Sequence, residues 1–208
     1  MFQAQLWGLL KMKANKYFSV HSKEYDKKRK RGVLGKIVEK EKKIVLELLK
    51  VKSGDSVLDL GCGAGYYAGI LKEKGADVFG VDISQEMIIM LKNKGIQGIK
   101  GDIQKIYLGK KFDKVLCAGA LEFVEHPEMV VKNAAAHLRK NGLFVLLYPK
   151  PSFFGRVYQL YHLSHGMRIR LFSIKIIKKL FEDSGFENVY IVPAGINCNA
   201  AAAFAKHL

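Results

Sequence analysis

The chain has 208 residues, of which 49% are hydrophobic and 26% are charged. These values are typical of one globular domain with a sizeable core, and they exclude a disordered or fibrous chain. The chain contains 35 Lys and Arg residues and 19 Asp and Glu residues, which gives a formal net charge of +16.

Residues 1–35 are a basic and aromatic N-terminal segment, with the densest run of charge at residues 27–31. Phe2 and Leu6 fit one helical face, so we expect an accessory lid over a site or an amphipathic surface helix. Such a basic arm can contact nucleic acid, an anionic membrane surface or an acidic small substrate, or it can be a solvated surface. The apolar stretch at residues 1–10 is too short to span a bilayer, and we predict no transmembrane segment.

After this segment, the hydrophobic periodicity predicts helices that alternate with strands. We expect strands at 57–60, 77–81, 96–99, 114–118, 143–147 and 186–192, with a seventh in the alanine-rich end. We expect helices at 36–50, from the glycine turn to 74, and at 84–95, 127–138 and 173–185. This order predicts a single α/β domain over residues 1–208, with a mostly parallel seven-stranded sheet whose last strand is antiparallel.

Two finer predictions concern the second half of the chain. Residues 148–172 are dense in aromatic and basic side chains, and we interpret them as an irregular insertion on the substrate side. In the helix that follows, we expect the core face to hold Ile174, Ile177, Leu180 and Phe181.

The most informative stretch follows the first strand and carries an acid and three glycines, Asp59, Gly61, Gly63 and Gly65. A strand, a glycine turn and a helix form the nucleotide-binding corner of a doubly wound sheet. The dinucleotide pattern G-x-G-x-x-G fails because its sixth position is Tyr66, and the Gly-Lys-Ser/Thr triplet of a phosphate-binding P-loop is missing.

This stretch resembles motif I of the class I S-adenosylmethionine-dependent methyltransferases, acid-x-Gly-x-Gly-x-Gly, at all four defined positions. The resemblance implies a Rossmann-like three-layer sandwich and S-adenosyl-L-methionine as cofactor, with S-adenosyl-L-homocysteine as product. The donor carries no phosphate, and Asp59 would attract its ammonium group. The turn that would shape the methionine pocket includes Cys62.

Two further acids fit the same family. Asp82 ends the second strand 21 residues after Gly61, close to the spacing of an acid that accepts ribose hydroxyls. Ile83 follows it. After the third strand, Asp102 and Ile103 stand where the family places an acid for the adenine amino group and an apolar neighbour for the ring.

The segment from Lys114 to Pro127 resembles the small-molecule branch typified by ubiquinone and menaquinone biosynthesis. The matches are Leu121, Glu122 and Val124. Phe123 and His126 replace the histidine and aspartate of the branch. These departures concern the substrate, whereas the backbone at Ala118 would lie near the sulfonium. The Asn/Asp-Pro-Pro-Tyr/Phe motif of amino-directed adenine and glutamine methyltransferases is missing, so base-amine and glutamine methylation are disfavoured.

We therefore expect an enzyme that methylates a small molecule, either quinone-like, lipid-like or anionic. Two alternatives remain open: an RNA methyltransferase that uses the basic arm, and a non-catalytic scaffold that binds the cofactor. The candidate general bases are His126, His162 and His165, since histidine is suited to that role. Each can equally be a surface or capping residue.

The three cysteines, Cys62, Cys117 and Cys198, have neither metal-ligand spacing nor a disulfide framework. We expect reduced thiols in a cytoplasmic protein that is free or peripheral to a membrane, and we expect no bound metal.

Overall fold

The structure is a computed structural model that describes residues 32–206, with side chains from residue 35 onward. The predictions made for residues 1–31 lie outside this range. The helices are α1 (Gly32–Leu49), α2 (Tyr66–Glu73), α3 (Gln85–Asn93), α4 (Pro127–His137), α5 (Phe153–Ser164) and α6 (Ile174–Glu182), with a short 3-10 helix at Leu121–Phe123. The strands are β1 (Ser56–Leu60), β2 (Asp77–Asp82), β3 (Gln97–Lys100), β4 (Phe112–Ala118), β5 (Leu138–Pro149), β6 (Phe186–Pro193) and β7 (Cys198–Ala205).

The described strands form one sheet in the order β3-β2-β1-β4-β5-β7-β6. The pairs from β3 through to β5 are parallel, and β7 runs antiparallel to both β5 and β6. The predicted sheet, parallel except for its last strand, is confirmed. The chain leaves β1 toward β2 and later returns to its other side as β4, so the strand order reverses there. Ligands of such sheets bind at that switch point, beyond the carboxyl ends of the strands.

The core lies on both faces of this sheet. Along β5, Phe144 and Leu146 pack into one cluster with α4 and α6, whereas Val145 and Leu147 pack into another with α1, α2 and α3. Successive side chains of a strand point to opposite faces, so a continuous apolar run becomes the centre of three layers. The predicted three-layer sandwich is confirmed.

Capping residues begin several helices where the sequence predicts them. The Ser84 hydroxyl accepts a hydrogen bond from the backbone N–H of Met87, and Ser173 does the same for Ile176. In α6, Ile177 and Phe181 are buried as predicted, but Ile174 is 50% exposed. Placing Ile174 on the core face was wrong, because Ile174 is the first residue of α6 and burial begins only at Ile177, one turn later.

The prediction of an irregular stretch after the fifth strand was also wrong, because α5 occupies much of residues 148–172. The Ser152 hydroxyl caps this helix by accepting from the Gly155 N–H at 3.1 Å. Many apolar side chains of α5 are exposed, so the sequence lacks the single buried stripe that marks a core helix. No helix in residues 32–206 is long and apolar enough to cross a bilayer.

Candidate functional site

The glycine turn after β1 has the backbone geometry that its sequence predicts. Gly61, Gly63 and Gly65 have φ values of 75°, 52° and 80°, in the left-handed region that disfavours other residues. The N–H groups of Gly61 and Cys62 donate to the Val81 carbonyl at 2.8 and 3.1 Å, which joins the turn to β2. A side chain at Gly61 would overlap Ala120, so the turn also packs against the segment after β4.

Asp59 lies at the base of this turn and is 2% exposed. Within the described part of the chain, no group donates a hydrogen bond to its buried Oδ2 atom. Burial raises the pKa of Asp59 from 3.8 to about 7, and the nearby charge of Asp82 acts in the same direction. A buried carboxylate with this environment favours a cation beside it.

Asp82 ends β2 beside the turn and is held by backbone donors. Its Oδ2 accepts from the Gly63 N–H at 2.9 Å, and its Oδ1 accepts from the Ser84 N–H at 2.9 Å. Burial raises the pKa of Asp82, and these backbone hydrogen bonds oppose the rise. An ionised carboxylate offers about four acceptor sites, so capacity remains for ligand hydroxyls.

Asp102 follows β3 and belongs to a short hydrogen-bond chain. Its Oδ1 accepts from Gln104 Nε2 at 3.0 Å, and Gln104 Oε1 accepts from the His126 N–H at 2.7 Å. Ile103 is buried, and its Cδ1 lies 4.0 Å from where a Gly61 Cβ would stand. The structure thus brings the loop after β3 to the glycine turn, as the sequence predicts for residues of one site.

The end of β4 forms the opposite side of the crevice. Ala118 is half-buried, and the Gly119 N–H donates to the Leu147 carbonyl at 3.2 Å. Glu122, in the 3-10 helix that follows, is 2% exposed. Burial raises the pKa of the Cys117 thiol, and the charges of Glu122 and Asp59 add to that rise. Buried acids therefore stand on both sides of this end of the sheet.

The three candidate histidines occupy different environments. His126 is exposed, and its Nδ1 lies 3.1 Å from Glu128 Oε1. His165 is exposed at the end of α5, with Nδ1 2.8 Å from the Tyr161 carbonyl. His162 is 3% exposed, and burial lowers its pKa to about 4.

His162 is surrounded by aromatic rings. Its ring packs edge-on against Phe123, Tyr158 and Tyr161, with centroid distances of 4.5–5.5 Å. Because its pKa is lowered to about 4, His162 is neutral at physiological pH.

Sequence reasoning missed several buried polar residues. Gln104 links Asp102 to His126, and its position two residues after a predicted ligand acid was the available signal. Glu41 on α1 and Asn199 on β7 are 7% and 6% exposed, and the charges of Glu41 and Glu122 both raise the pKa of Cys198. Glu41 and Cys198 come into contact only because α1 packs against β7, and local sequence carries no signal of that.

The residues present fit S-adenosyl-L-methionine. The buried Oδ2 of Asp59 would face the ammonium group, Asp82 would hold the ribose, and Asp102 with Ile103 would hold the adenine. A Cβ at Gly63 would meet no atom within 4 Å, so the turn has open space beside it. In the described residues, no cluster of three or more His, Cys, Asp or Glu side chains is arranged to hold a metal ion.

A mostly parallel sheet with this switch point, an acid-glycine turn, an acid at the end of β2 and another after β3 are together typical of a Rossmann-like nucleoside-binding methyltransferase fold. A protein-family model described as a methyltransferase domain matches residues 25–191, and the chain belongs to that family. The prediction of a methyltransferase of the S-adenosyl-L-methionine-dependent kind is thus confirmed at the level of the family.

Curated relatives match part of the chain. Ubiquinone biosynthesis O-methyltransferase from Coxiella burnetii (strain Dugway 5J108-111) is 36% identical over 96 residues, which cover 43% of this chain and 41% of that protein. The protein of the same name from Rickettsia typhi is 25% identical over 146 residues, covering 65% of this chain and 59% of that protein. The matches thus span about 40–60% of these relatives.

Solved structures share the fold over most of the chain. A methyltransferase from Thermotoga maritima has a TM-score of 0.73 at 22% identity and covers 91% of this chain and 98% of its own. Magnesium protoporphyrin IX methyltransferase from Synechocystis, crystallised with S-adenosylhomocysteine, has a TM-score of 0.72 at 20% identity, with coverage of 93% and 98%. At these identities, the likeness is one of fold.

Proposed function

We propose that this enzyme transfers the methyl group of S-adenosyl-L-methionine to a small-molecule acceptor. The observation that carries the proposal is the grouping of Asp59, Asp82 and Asp102 around the left-handed glycine turn. These acids occupy the β1–β3 side of the crevice, so the donor's methyl group would point toward the β4–β5 side. The acceptor would bind there, between the segment after β4 and residues 148–172.

The chemistry requires alignment above all. Methyl transfer is an in-line displacement, and the enzyme gains rate mainly by holding the nucleophile, the methyl carbon and the sulfur in line. A base is needed only where the nucleophile carries a proton of high pKa. The relatives are named as O-methyltransferases, which supports a hydroxyl on a quinone-like ring as the methyl acceptor.

Glu122 is the carboxylate best placed to accept such a proton. Its Oε1 lies 4.0 Å from where a Gly119 Cβ would stand, so it is next to the backbone at the end of β4. The Arg170 N–H donates to the Glu122 carbonyl at 3.1 Å and fixes the segment that carries it. Of the histidine candidates, His126 is joined to Asp102 through Gln104, and His162 and His165 lie at the end of α5.

A metabolite extract incubated with purified protein and donor labelled in its methyl group tests the proposal. We expect a labelled small molecule by mass spectrometry, and we expect Asp82→Ala to reduce the label by about 10-fold or more at subsaturating donor. Glu122→Gln should reduce methyl transfer while donor affinity by calorimetry stays unchanged. The control is Lys140→Ala, near the amino end of β5 and therefore far from the crevice at the carboxyl ends of the strands. This variant should transfer the methyl group normally.

Two outcomes would overturn the proposal. Label that enters RNA instead of metabolites, with RNA affinity that falls steeply with salt, would identify a nucleic-acid methyltransferase. Folded protein that fails to bind the donor in calorimetry would identify a scaffold. The proposal includes a cytoplasmic setting, which the buried free thiols of Cys62, Cys117 and Cys198 support.

A further inference from the structure

A groove of about 590 Å³ lies beside the acceptor side of the crevice and is lined by three arginines, Arg156, Arg168 and Arg170. We call it the arginine groove. The residues that line it all belong to the described part of the chain, and none of them is acidic. Its volume falls in the range of small-molecule sites, 300–1,000 Å³.

The arginine groove is connected to the proposed site by short links. Arg170 is half-buried and donates its N–H to the Glu122 carbonyl at 3.1 Å. Pro127, which also lines the groove, follows His126, whose N–H reaches Asp102 through Gln104. A ligand in the groove would therefore lie close to the residues that we assign to the methyl donor and acceptor.

The groove concentrates positive charge, and a side-chain hydrogen bond positions one of its arginines. Arg156 Nη1 donates to Gln159 Oε1 at 3.1 Å, and Gln159 Nε2 donates to the Ile169 carbonyl at 2.9 Å. Glu125 and Glu128, the acids that neighbour Pro127 in sequence, lie 3.9 and 3.1 Å from the ring of His126. Planar guanidinium groups match the oxygen geometry of a phosphate in a bidentate manner.

Apart from the arginines and Gln159, the residues that line the groove are apolar. Phe172, Ile176 and Pro151 line it, and Phe172 is fixed by its N–H, which donates to the Pro149 carbonyl at 2.9 Å. A phosphate alone would leave this surface uncovered. The combination fits a ligand with an anionic head and an apolar body.

We propose that the arginine groove binds a phosphate monoester that is attached to an apolar group, and that this anion anchors the methyl acceptor. This inference rests on the proposed function, since it assigns part of the acceptor. The phosphate can belong to a soluble metabolite or to a lipid headgroup. Both sources present the same oxygens to the same arginines.

Two probes separate these sources: phenyl phosphate titrated by calorimetry, and phosphatidylcholine vesicles with phosphatidic acid in a co-sedimentation assay. We expect Arg156→Ala/Arg168→Ala to weaken binding by about 10-fold or more, because charge-assisted hydrogen bonds are lost. The control, Lys52→Ala/Lys140→Ala, removes two charges near the amino ends of β1 and β5, and it should bind both probes as the wild type does. Binding of phenyl phosphate identifies a soluble acceptor, and binding of the vesicles alone identifies a lipid.

Binding of neither probe, or equal loss in the control variant, would overturn the inference. Donor affinity is measured on the same samples by calorimetry. Wild-type protein that binds phenyl phosphate but not S-adenosyl-L-methionine would refute the proposed function while leaving the groove intact as an anion site. Wild-type protein that binds the donor but neither probe would refute the groove alone.

Discussion

Replacing Asp59 with asparagine should make the ligand-free protein more stable at neutral pH and should weaken its binding of the methyl donor. The Asp59 carboxyl is 2% exposed, and its pKa is raised from 3.8 to about 7. Between these values the folded protein binds the proton more tightly than the unfolded chain. Stability therefore falls as the pH rises through this window.

The size of the effect follows from the same values. The rise in the pKa of Asp59 from 3.8 to about 7 destabilises the folded state by about 4 kcal/mol at pH 8 and by less than half of that at pH 5. The wild type should lose about 2.5 kcal/mol relative to Asp59→Asn between pH 5 and pH 8. A buried amide can cost about 1–3 kcal/mol if its hydrogen bonds are not made, but that cost does not vary with pH.

Urea unfolding of both proteins at pH 5, 6, 7 and 8 measures this difference. Asp113→Asn is the matched control, because the pKa of Asp113 is lowered to about 2 by hydrogen bonds with Ser56 and by the Arg139 guanidinium. The stability that Asp113 contributes is complete above pH 4 and is lost only as the pH falls toward 2. Its replacement should therefore leave the slope from pH 5 to pH 8 unchanged.

The donor gives a second readout. The ammonium group of S-adenosyl-L-methionine would sit beside an ionised Asp59, so donor should raise the melting temperature of the wild type more than that of Asp59→Asn. If the free energy of unfolding changed with pH in the same way in the wild type and in Asp59→Asn, the raised pKa of Asp59 would be refuted. An equal rise in melting temperature with donor would refute its placement against the ligand.

Three further predictions concern other residues of the site. Asp82→Ala should weaken donor binding by about 1.5–3 kcal/mol in calorimetry, because charge-assisted hydrogen bonds are lost; an unchanged affinity would mean that the ribose lies elsewhere. Gly61→Ala should lower the melting temperature more than Gly109→Ala, since both have positive φ but only Gly61 lacks room for a Cβ; equal losses would contradict this packing. His162→Phe should gain about 2 kcal/mol of stability relative to the wild type between pH 8 and pH 5, because the pKa of His162 is lowered to about 4 and the wild type loses stability as the pH falls below 6.5. Urea-unfolding free energies that change with pH equally in both proteins would contradict this.

The side of the site assigned to the methyl donor was predictable because its residues are close to strand ends. Asp59 and Asp82 lie near the carboxyl ends of apolar strands, and Asp102 follows the end of the short strand β3; parallel strands bring their carboxyl ends to one edge. The glycine turn needs left-handed backbone at fixed positions, so its residue types reveal its geometry. Local sequence therefore contained both the position and the chemistry of these groups.

The acceptor side was not predictable in the same way. Helix α5 exposes much of its apolar surface, so residues 148–172 lack the buried stripe that signals a helix. Glu41 on α1 and Cys198 on β7 come from opposite ends of the chain, are both buried and are in contact. Their proximity is a property of strand order, which no local pattern encodes.

By itself, the sequence determined the fold class and the seven-stranded sheet with its antiparallel last strand, because alternating periodicity is a local property. The methyl donor followed from the resemblance of the acid-glycine turn to a known motif, which is also local. Only the tertiary structure decided that Asp59 is a buried acid with a pKa near 7, that His162 is enclosed by aromatic rings, and that Arg156, Arg168 and Arg170 line one groove. Burial and charge proximity depend on which distant segments pack together. These residues therefore acquire their particular chemical properties only after the chain has folded.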